Sequence, residues 1–230
     1  ALPVDIEAVY TKTAKFSLHG INAQVVTPWG EGELELALIG RFNLSNALAV
    51  IAALGSLKFT LPEILMAMRH LRPVSGRMQI VSEPNEPLVV VDYAHKPDAL
   101  LQVLKALNAH KKGKLICVFG CGGERDRAKR PIMARIAEEN ADQVIVTNDN
   151  PRHEAPAAIV AEIMSGFKHP ERVTVEYDRA NAIAFALQSA SNDDCILIAG
   201  KGGETYQLIG DESRPFCDAT VAKSILQGSA

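Results

Sequence analysis

Hydrophobic and polar residues alternate over the first forty positions of the chain. The alternating runs are 9–12, 15–18, 23–26 and 33–38, and the segments between them include His19-Gly20 and Trp29-Gly30-Glu31-Gly32. Alternation with a period of two predicts half-buried strands, and glycine between the runs predicts tight turns. This segment is therefore expected to form antiparallel strands.

The hydrophobic period becomes that of a helix after Gly40. Leu44, Ala47 and Ile51 recur at helical spacing, which places them on one face of a first helix. The sequence Thr60-Leu61-Pro62-Glu63 then combines a capping box with a proline in the first turn, so it predicts a second helix that runs to about Leu71. Two helices are thus expected to follow the strands.

Short apolar runs alternate with helical patterns from Leu88 onward. The predicted strands are 88–91, 115–119, 143–147, 172–175 and 195–199, and the predicted helices are about 97–109, 128–139, 156–166, 179–190 and 218–227. Strands that are apolar throughout are typical of a parallel sheet with helices on both faces. The pattern predicts an α/β fold with a Rossmann-like parallel-sheet domain, and the breaks between 73 and 87 predict a domain boundary there.

Composition and charge narrow the classes of function. The 230 residues include 24 Lys and Arg against 27 Asp and Glu, a net charge of −3, so the chain lacks the positive field on which nucleic-acid binding depends. No apolar run approaches the roughly 18 residues of a membrane span. The four cysteines form no C-x-x-C pair, which indicates a reducing compartment. We expect a cytoplasmic protein that binds neither nucleic acid nor a membrane.

The segments that follow the strands carry glycines together with charges of both signs. They are 92–98, 120–127, 148–153 and 200–204. Ligands of open parallel sheets bind outside the carboxyl ends of the strands, so these segments are expected to form the site. An arginine fork matches a carboxylate and an acidic side chain accepts from an ammonium group, which favours a zwitterionic ligand. A turn with only solvated charges is the alternative for Asn148–Arg152.

Two nucleotide-binding motifs are incomplete. Gly120-Cys121-Gly122 begins a dinucleotide-binding pattern, but Arg125 stands where its last glycine is required. Gly200-Lys201 resembles the end of a P-loop, but the earlier glycine and the following Ser or Thr are missing, so no P-loop is expected in these residues. His95 could be a general base, a nucleotide contact or simply a solvated side chain. The histidines share no spacing that indicates metal ligands.

Six segments, taken together and in order, resemble the C-terminal part of the Mur ligases, the ATP-dependent amide ligases of peptidoglycan precursor synthesis. The six are Gly40–Ala47, Ser75–Met78, Asp92–His95, Gly120–Gly123, Asp149–Arg152 and Gly200–Glu204. Within that family, Asp149-Asn150-Pro151-Arg152 resembles the recognition turn of the members that add meso-diaminopimelate to UDP-N-acetylmuramoyl-L-alanyl-D-glutamate. The resemblance implies that reaction, through an acyl-phosphate intermediate, with ATP and Mg²⁺ as cofactors.

The resemblance also implies a division of the chain and two sets of site residues. Residues 1–75 correspond to the C-terminal part of the central ATP-binding domain, and residues 76–230 to the Rossmann-like amino acid-binding domain. The residues expected to bind meso-diaminopimelate are Arg125, Asp149, Asn150, Pro151, Arg152, Gly200 and Glu204. Those expected near ATP are Asn43, Asn46, Arg77, Asp92 and His95, with Asn43 and Asn46 otherwise explained as an N-cap and a first-turn residue.

Several expectations concern what the chain lacks. The family's P-loop, its carbamylated lysine and its UDP-substrate domain lie upstream of the region that Ala1 begins, so these residues are expected to be a fragment that is inactive alone, with no catalytic residue or metal ligand of its own. A monomer is expected. Gly203 stands where the family usually has histidine before the glutamate of the last loop. This departure removes any contact that the imidazole would make.

Two alternatives to this function stay open. One is another ligase of the same superfamily, such as a folylpolyglutamate or cyanophycin synthetase, with a different amino acid at the ends of the strands. The other is a non-catalytic module that binds a zwitterionic amino acid or a nucleotide.

Overall fold

A computed structural model describes residues 8–228 of the chain. Two compact units divide at Pro73 and Val74. Strands and helices are mixed in both units, and the larger sheet is mostly parallel. The predicted α/β class is therefore confirmed.

The first unit is a three-stranded antiparallel sheet followed by two helices. Its elements are β1 (Tyr10–Ser17), β2 (Gly20–Thr27), β3 (Gly30–Leu36), α1 (Arg41–Ser56) and α2 (Leu61–Arg69). The sheet order is β1-β2-β3, and the first two alternating runs lie in the single strand β1, with an irregularity between Thr11 and Thr13. Alternate residues of β2 and β3 pack against the apolar faces of both helices, which gives this unit its own core.

The two helices of the first unit begin differently. Gly40 is the N-cap residue of α1, with a φ of 98°, so the assignment of Asn43 as the N-cap is wrong. Asn43 lies in the first turn instead, and its Nδ2 donates to the Ile39 carbonyl at 2.8 Å. The capping box of α2 is present, because the backbone N–H of Thr60 donates to the Glu63 carboxylate at 2.9 Å.

The second unit is a six-stranded sheet in the order β4-β5-β9-β6-β7-β8. All strand pairs are parallel except β4 with β5. The strands of this sheet are β4 (Gln79–Ile80), β5 (Leu88–Asp92), β6 (Leu115–Phe119), β7 (Gln143–Val146), β8 (Thr174–Val175) and β9 (Cys195–Ala199). The helices are α3 (Pro97–Asn108), α4 (Lys129–Asn140), α5 (Pro156–Met164), α6 (Arg179–Ser189) and α7 (Asp218–Leu226).

Helices cover this sheet, and its central strands are buried throughout. Residues of α6 and α7 such as Ile183 and Ala222 form one core with Val89 and Ile198 of the strands. Val90 and Leu197, which alternate with those strand residues, are equally buried. Successive side chains of a strand point to opposite faces, so α3, α4 and α5 cover the other face.

Three features of the second unit differ from the predicted elements. The predicted strand 172–175 shrinks to Thr174–Val175, because Pro170–Arg172 forms a 3₁₀ turn. The short strand β4 and the hairpin of β10 (Tyr206–Ile209) with β11 (Glu212–Pro215) were not predicted.

In residues 8–228, none of the helices has the length and apolar character that crossing a membrane requires.

Candidate functional site

The carboxyl ends of β5, β6, β7 and β9 border a cavity of about 780 Å³ in the second unit. Seven residues predicted for the two sites line it: His95, Arg125, Asp149, Asn150, Arg152, Gly200 and Glu204. Strand β9 lies between β5 and β6, so the cavity lies where the strand order reverses, as expected for an open α/β sheet. Segments far apart in the chain thus contribute to one site.

Polar side chains of the loop after β7 and of the neighbouring hairpin hold this loop in place. Asp149 and Asn150 are both buried, and Oδ1 of Asp149 accepts the backbone N–H of Asn150 at 2.7 Å. Gln207 of the hairpin donates to the Asp149 carbonyl at 2.7 Å. Buried polar groups need such partners, and here the partners fix the path of the loop.

Lys201 joins this loop to the loop after β9. Its side chain is fully buried, and its ammonium group donates to Oδ1 of Asn150 and to Oε2 of Glu204, both at 2.9 Å. Nδ2 of Asn150 also donates to Oε2 of Glu204 at 2.9 Å. The three side chains form a closed network, which fixes the orientation of the Glu204 carboxylate in the cavity wall.

Arg152 has a left-handed backbone, with a φ of 53°. Its backbone N–H donates to the Leu208 carbonyl at 3.1 Å, and its own carbonyl accepts the N–H of Gly210 at 2.8 Å. Nη1 of its guanidinium donates to the Gly123 carbonyl at 2.9 Å. A guanidinium has five N–H donors, so others remain for a ligand in the cavity.

Pro151 does not line the cavity. It lies where the loop packs against the segment after β6: a Cβ on Gly123 would come within 1.9 Å of the Pro151 carbonyl oxygen. The N–H of Gly123 also donates to the Asn150 carbonyl at 2.9 Å. Pro151 therefore contributes to the path of the loop through its backbone and its fixed φ, and not through a side chain in the cavity.

Other residues of the cavity wall come from the loops after β5 and β6. Arg125 is exposed and donates from Nη1 to the Glu124 carbonyl at 3.0 Å. Lys129 donates to the His95 carbonyl at 2.7 Å, which ties these two loops together. Nδ1 of His95 lies 2.9 Å from the Tyr93 carbonyl, which can only accept, so Nδ1 carries the proton and Nε2 is left for a ligand.

The remaining residues expected near ATP do not line the cavity. The Arg77 guanidinium lies 4.5 Å from the centre of the Tyr93 ring. The Asp92 carboxylate accepts the backbone N–H groups of Met78 and Ala94, both at 2.8 Å, and burial raises the pKa of this carboxyl group. Asn43 and Asn46 belong to α1 of the first unit.

Lys201 and the hairpin of β10 and β11 are parts of the site that the sequence did not predict. A lysine two residues after a fully apolar strand is a weak signal of a buried side chain, because lysine is almost always exposed unless it is paired. Gly210-Asp211 between β10 and β11 is a two-residue hairpin loop, a signal that was present but that lacked flanking apolar alternation.

The comparisons with known proteins agree on one family. The description "Mur ligase, glutamate ligase domain" matches residues 76–202, more than half of the chain, and "Mur ligase middle domain" matches residues 4–54. A UDP-N-acetylmuramoyl-L-alanyl-D-glutamate–2,6-diaminopimelate ligase of Coxiella burnetii is 52% identical over 90% of this chain and 42% of its own length. The ligase of that name from Pseudomonas aeruginosa is 51% identical over 95% of this chain and 45% of its own.

A solved structure supports the same conclusion. The structure of a protein with that ligase name superposes with a TM-score of 0.68 at 39% identity, over 96% of this chain and 45% of the other. The chain spans less than half the length of the curated relatives that it matches. Sequence and structure together show that the chain belongs to the Mur ligase family.

Proposed function

We propose that the chain provides the amino acid-binding part of an ATP-dependent amide ligase. The ligase joins meso-diaminopimelate to UDP-N-acetylmuramoyl-L-alanyl-D-glutamate in peptidoglycan precursor synthesis. The names of relatives with about 50% identity support this reaction. Residues 1–75 are the C-terminal part of the central domain in this proposal, and residues 76–230 are the amino acid-binding domain.

The observation that carries the proposal is the meeting of opposite charges in one cavity. Arg152 comes from the loop after β7 and Glu204 from the loop after β9, and both line the cavity. Meso-diaminopimelate has an ammonium and a carboxylate group at each end, so one of its ends requires donors and acceptors side by side. L-lysine lacks the distal carboxylate, and this difference is what an arginine can recognise.

Five residues of the site have a defined role in this proposal. Arg152 holds the distal carboxylate, because its guanidinium is anchored through Nη1 and keeps other donors for the ligand. Asp149 and Glu204 accept from the distal ammonium group, while Arg125 borders the cavity on its exposed side. Gly200, with a φ of 119°, allows the backbone to approach the ligand closely.

Catalysis of this reaction depends mainly on positioning the reacting groups. ATP, when bound, supplies the phosphoryl group that activates the D-glutamate side-chain carboxylate as an acyl phosphate. The free amine of diaminopimelate then attacks the activated carbon, an amide bond forms, and phosphate leaves. A cavity that grips the distal end of diaminopimelate holds the other amine in a fixed place, which is the contribution of these residues to the rate.

The residues proposed to contact ATP are Asn43, Asn46, Arg77, Asp92 and His95. Two of them have groups suited to a nucleotide: the Arg77 guanidinium lies over the Tyr93 ring, and His95 directs Nδ1 at the Tyr93 carbonyl, which leaves Nε2 for a ligand. The Asp92 carboxylate already accepts two backbone N–H groups, and a carboxylate can accept more.

The described residues do not provide a complete set of ligands for the proposed Mg²⁺. Among residues 8–228, no group of three or more His, Cys, Asp or Glu side chains could hold a metal ion. Magnesium is usually held by substrate phosphates with one or two carboxylates, so we expect phosphate oxygens to supply most of its ligands. We also propose that the protein is a monomer and that it is located in the cytoplasm.

Calorimetry on the 230-residue chain tests the amino acid specificity. Titration with meso-diaminopimelate should show binding, and titration with L-lysine should show binding at least about tenfold weaker, since a charge-assisted bidentate pair is lost. Equal affinities for the two amino acids would contradict the assigned specificity. Binding of ATP alone, with neither amino acid bound, would favour the nucleotide-binding module.

A chimera tests the complete reaction. This chain replaces the matching 45% of the Pseudomonas aeruginosa ligase, and ATP-dependent amide formation is measured with each amino acid. Turnover with meso-diaminopimelate and little with L-lysine is expected. A chimera that is folded but uses neither amino acid would exclude the proposed function.

A further inference from the structure

Arg179 and Asp218 form an ion pair beneath the site, outside the residues that line the cavity. Both side chains are fully buried, and Nε and Nη2 of Arg179 donate to the two Asp218 oxygens at 2.7 and 2.8 Å. Arg179 begins α6 and Asp218 begins α7. A cation in the first turn of a helix opposes the helix dipole, so its position needs another explanation.

The guanidinium of Arg179 reaches the ends of two strands. Nη1 donates to the Asn148 carbonyl at 3.2 Å, and Nη2 donates to the Ala199 carbonyl at 3.0 Å. Asn148 directly precedes Asp149, and Ala199 directly precedes Gly200. A single rigid group thus connects the loop after β7 with the loop after β9, immediately before the cavity residues of each loop.

Carboxylates of the site contribute to keeping Arg179 charged. Burial alone would lower the pKa of this guanidinium, but the carboxylates of Asp218, Asp149 and Glu204 together raise it above its ordinary value. Desolvating two charges is costly, and apolar residues of similar volume often replace a buried pair without loss of stability. Stability by itself is therefore a weak reason for an ion pair at this position.

We propose that Arg179 and Asp218 are positioning residues for the amino acid site, which set the distance between Asp149 in one loop and Glu204 in the other. This inference rests on the proposed function for the identity of the ligand, but not for the geometry. The guanidinium fixes both strand ends, and Asp218 fixes the guanidinium. Neither residue touches the ligand.

The test separates positioning from stability with a paired variant. R179M alone leaves the Asp218 charge buried and should lower the melting temperature, whereas R179M/D218L replaces both charges by apolar side chains and should recover it. Affinity for meso-diaminopimelate should stay at least about tenfold weaker in the double variant, because the loops are no longer held in register. Recovery of affinity together with stability would overturn the proposal.

Amide hydrogen exchange provides a readout without ligand. The amides of Arg152 and Gly200 donate to the carbonyls of Leu208 and Asp92, so both are protected reporters of the two loops. Both should exchange at least about tenfold faster in the double variant, while Leu100 in α3 stays unchanged. Unchanged exchange at Arg152 and Gly200 would overturn the positioning role, whether or not the unmodified chain binds diaminopimelate.

Two further variants complete the experiment. R179K keeps a charge opposite Asp218 but cannot span both Asp218 oxygens and both carbonyls, so it should weaken affinity by about tenfold. L187A removes a buried side chain from the same helix away from the pair and should lower the melting temperature without changing affinity. Failure of unmodified chain to bind meso-diaminopimelate would instead refute the proposed function, and the exchange data would still decide the role of Arg179.

Discussion

Lys201 donates to Asn150 at 2.9 Å in the interior of the second unit, 51 residues away in sequence. The ammonium group is fully buried, and its other partner, Glu204, is itself partly exposed at the cavity. The positive charge is thereby placed behind the site, where it orients two polar side chains. A polar side chain of the loop after β7 and one of the loop after β9 are joined through one buried cation.

Replacing this cation should destabilise the second unit. The Lys201→Met variant loses two charge-assisted hydrogen bonds, so we expect the free energy of unfolding to fall by about 2 kcal/mol, as measured by urea denaturation. Lys168→Met is the matched control, because Lys168 is 69% exposed, and its effect should stay within about 0.5 kcal/mol. Equal effects of the two variants would show that the Lys201 network contributes nothing.

Arg152 should determine which amino acid binds. Arg152→Asn removes the guanidinium but tolerates the left-handed backbone at this position, so the loop path is kept. Affinity for meso-diaminopimelate should fall by about 1.5–3 kcal/mol, roughly tenfold to a hundredfold, while affinity for L-lysine stays nearly constant. Calorimetry measures both, with Arg127→Asn as the control because Arg127 does not line the cavity. A parallel loss for both amino acids would argue against recognition of the distal carboxylate.

Gly76 packs against the loop that carries Glu204. A Cβ at this position would lie 1.8 Å from the backbone nitrogen of Gly203, and the φ of Gly76 is 70°. Gly203 itself passes close to Ser75: its own Cβ would lie 2.8 Å from the Ser75 carbonyl oxygen. A histidine at position 203 therefore could not be added without moving one of the two segments.

Gly76→Ala should accordingly lower the free energy of unfolding by more than about 2 kcal/mol, since it adds a backbone clash to the cost of a left-handed alanine. Gly210→Ala is the matched control: its φ is 59°, but nothing lies within 4 Å of its added Cβ. We expect the control to cost only about 1 kcal/mol. If chemical denaturation gives both variants the same free energy of unfolding, the predicted clash of an added Cβ at position 76 with Gly203 is contradicted.

The stability of the second unit should depend on Glu162 at acid pH. Hydrogen bonding from Arg127, together with Arg130, lowers the pKa of Glu162 to about 2 from an ordinary value of 4.5. A carboxyl group with a lowered pKa stabilises the folded state above its unfolded pKa and loses that effect as the pH falls toward the folded pKa. The stabilisation of the folded state by Glu162 is therefore complete above about pH 5, and it is lost as the pH falls from 4.5 to about 2.

Melting temperatures of Glu162→Gln and of the unmodified chain measure this contribution. Their difference should be constant from pH 5 to 7 and should shrink steadily as the pH is lowered toward 2. Glu139→Gln, which changes an exposed carboxylate of α4 with only a 3.8 Å pairing to Lys168, should show little difference at any pH. A Glu162→Gln difference that does not change with pH would refute the lowered pKa.

The regular part of the second unit could be predicted because its signals are local. The four longer strands of the sheet, β5, β6, β7 and β9, are short runs of mainly apolar residues, and the helices of this unit begin within a residue of the predicted start. Those signals depend on period and length alone. The rule that ligands bind at the carboxyl ends of strands then brings four distant loops together, and six of the seven residues predicted for diaminopimelate line one cavity.

Other features depend on tertiary contacts that have no local signal. Strand β11 is exposed throughout, so no apolar alternation marks it. The burial of Lys201 depends on Asn150, which is 51 residues away, as well as on the nearby Glu204. The burial of Arg179 depends on Asp218, which is 39 residues away. Asn43 was assigned as an N-cap on residue type, but Gly40 has the backbone conformation that starts α1.

The hairpin of β10 and β11 holds Arg152 by its main chain alone. Both the N–H and the carbonyl of this residue bond to the hairpin backbone, and neither bond depends on which side chain is present. The chemistry presented to the cavity at position 152 can therefore change while the support beneath it persists. A new amino acid preference could evolve at this position by single substitutions, with the scaffold of the loop inherited unchanged.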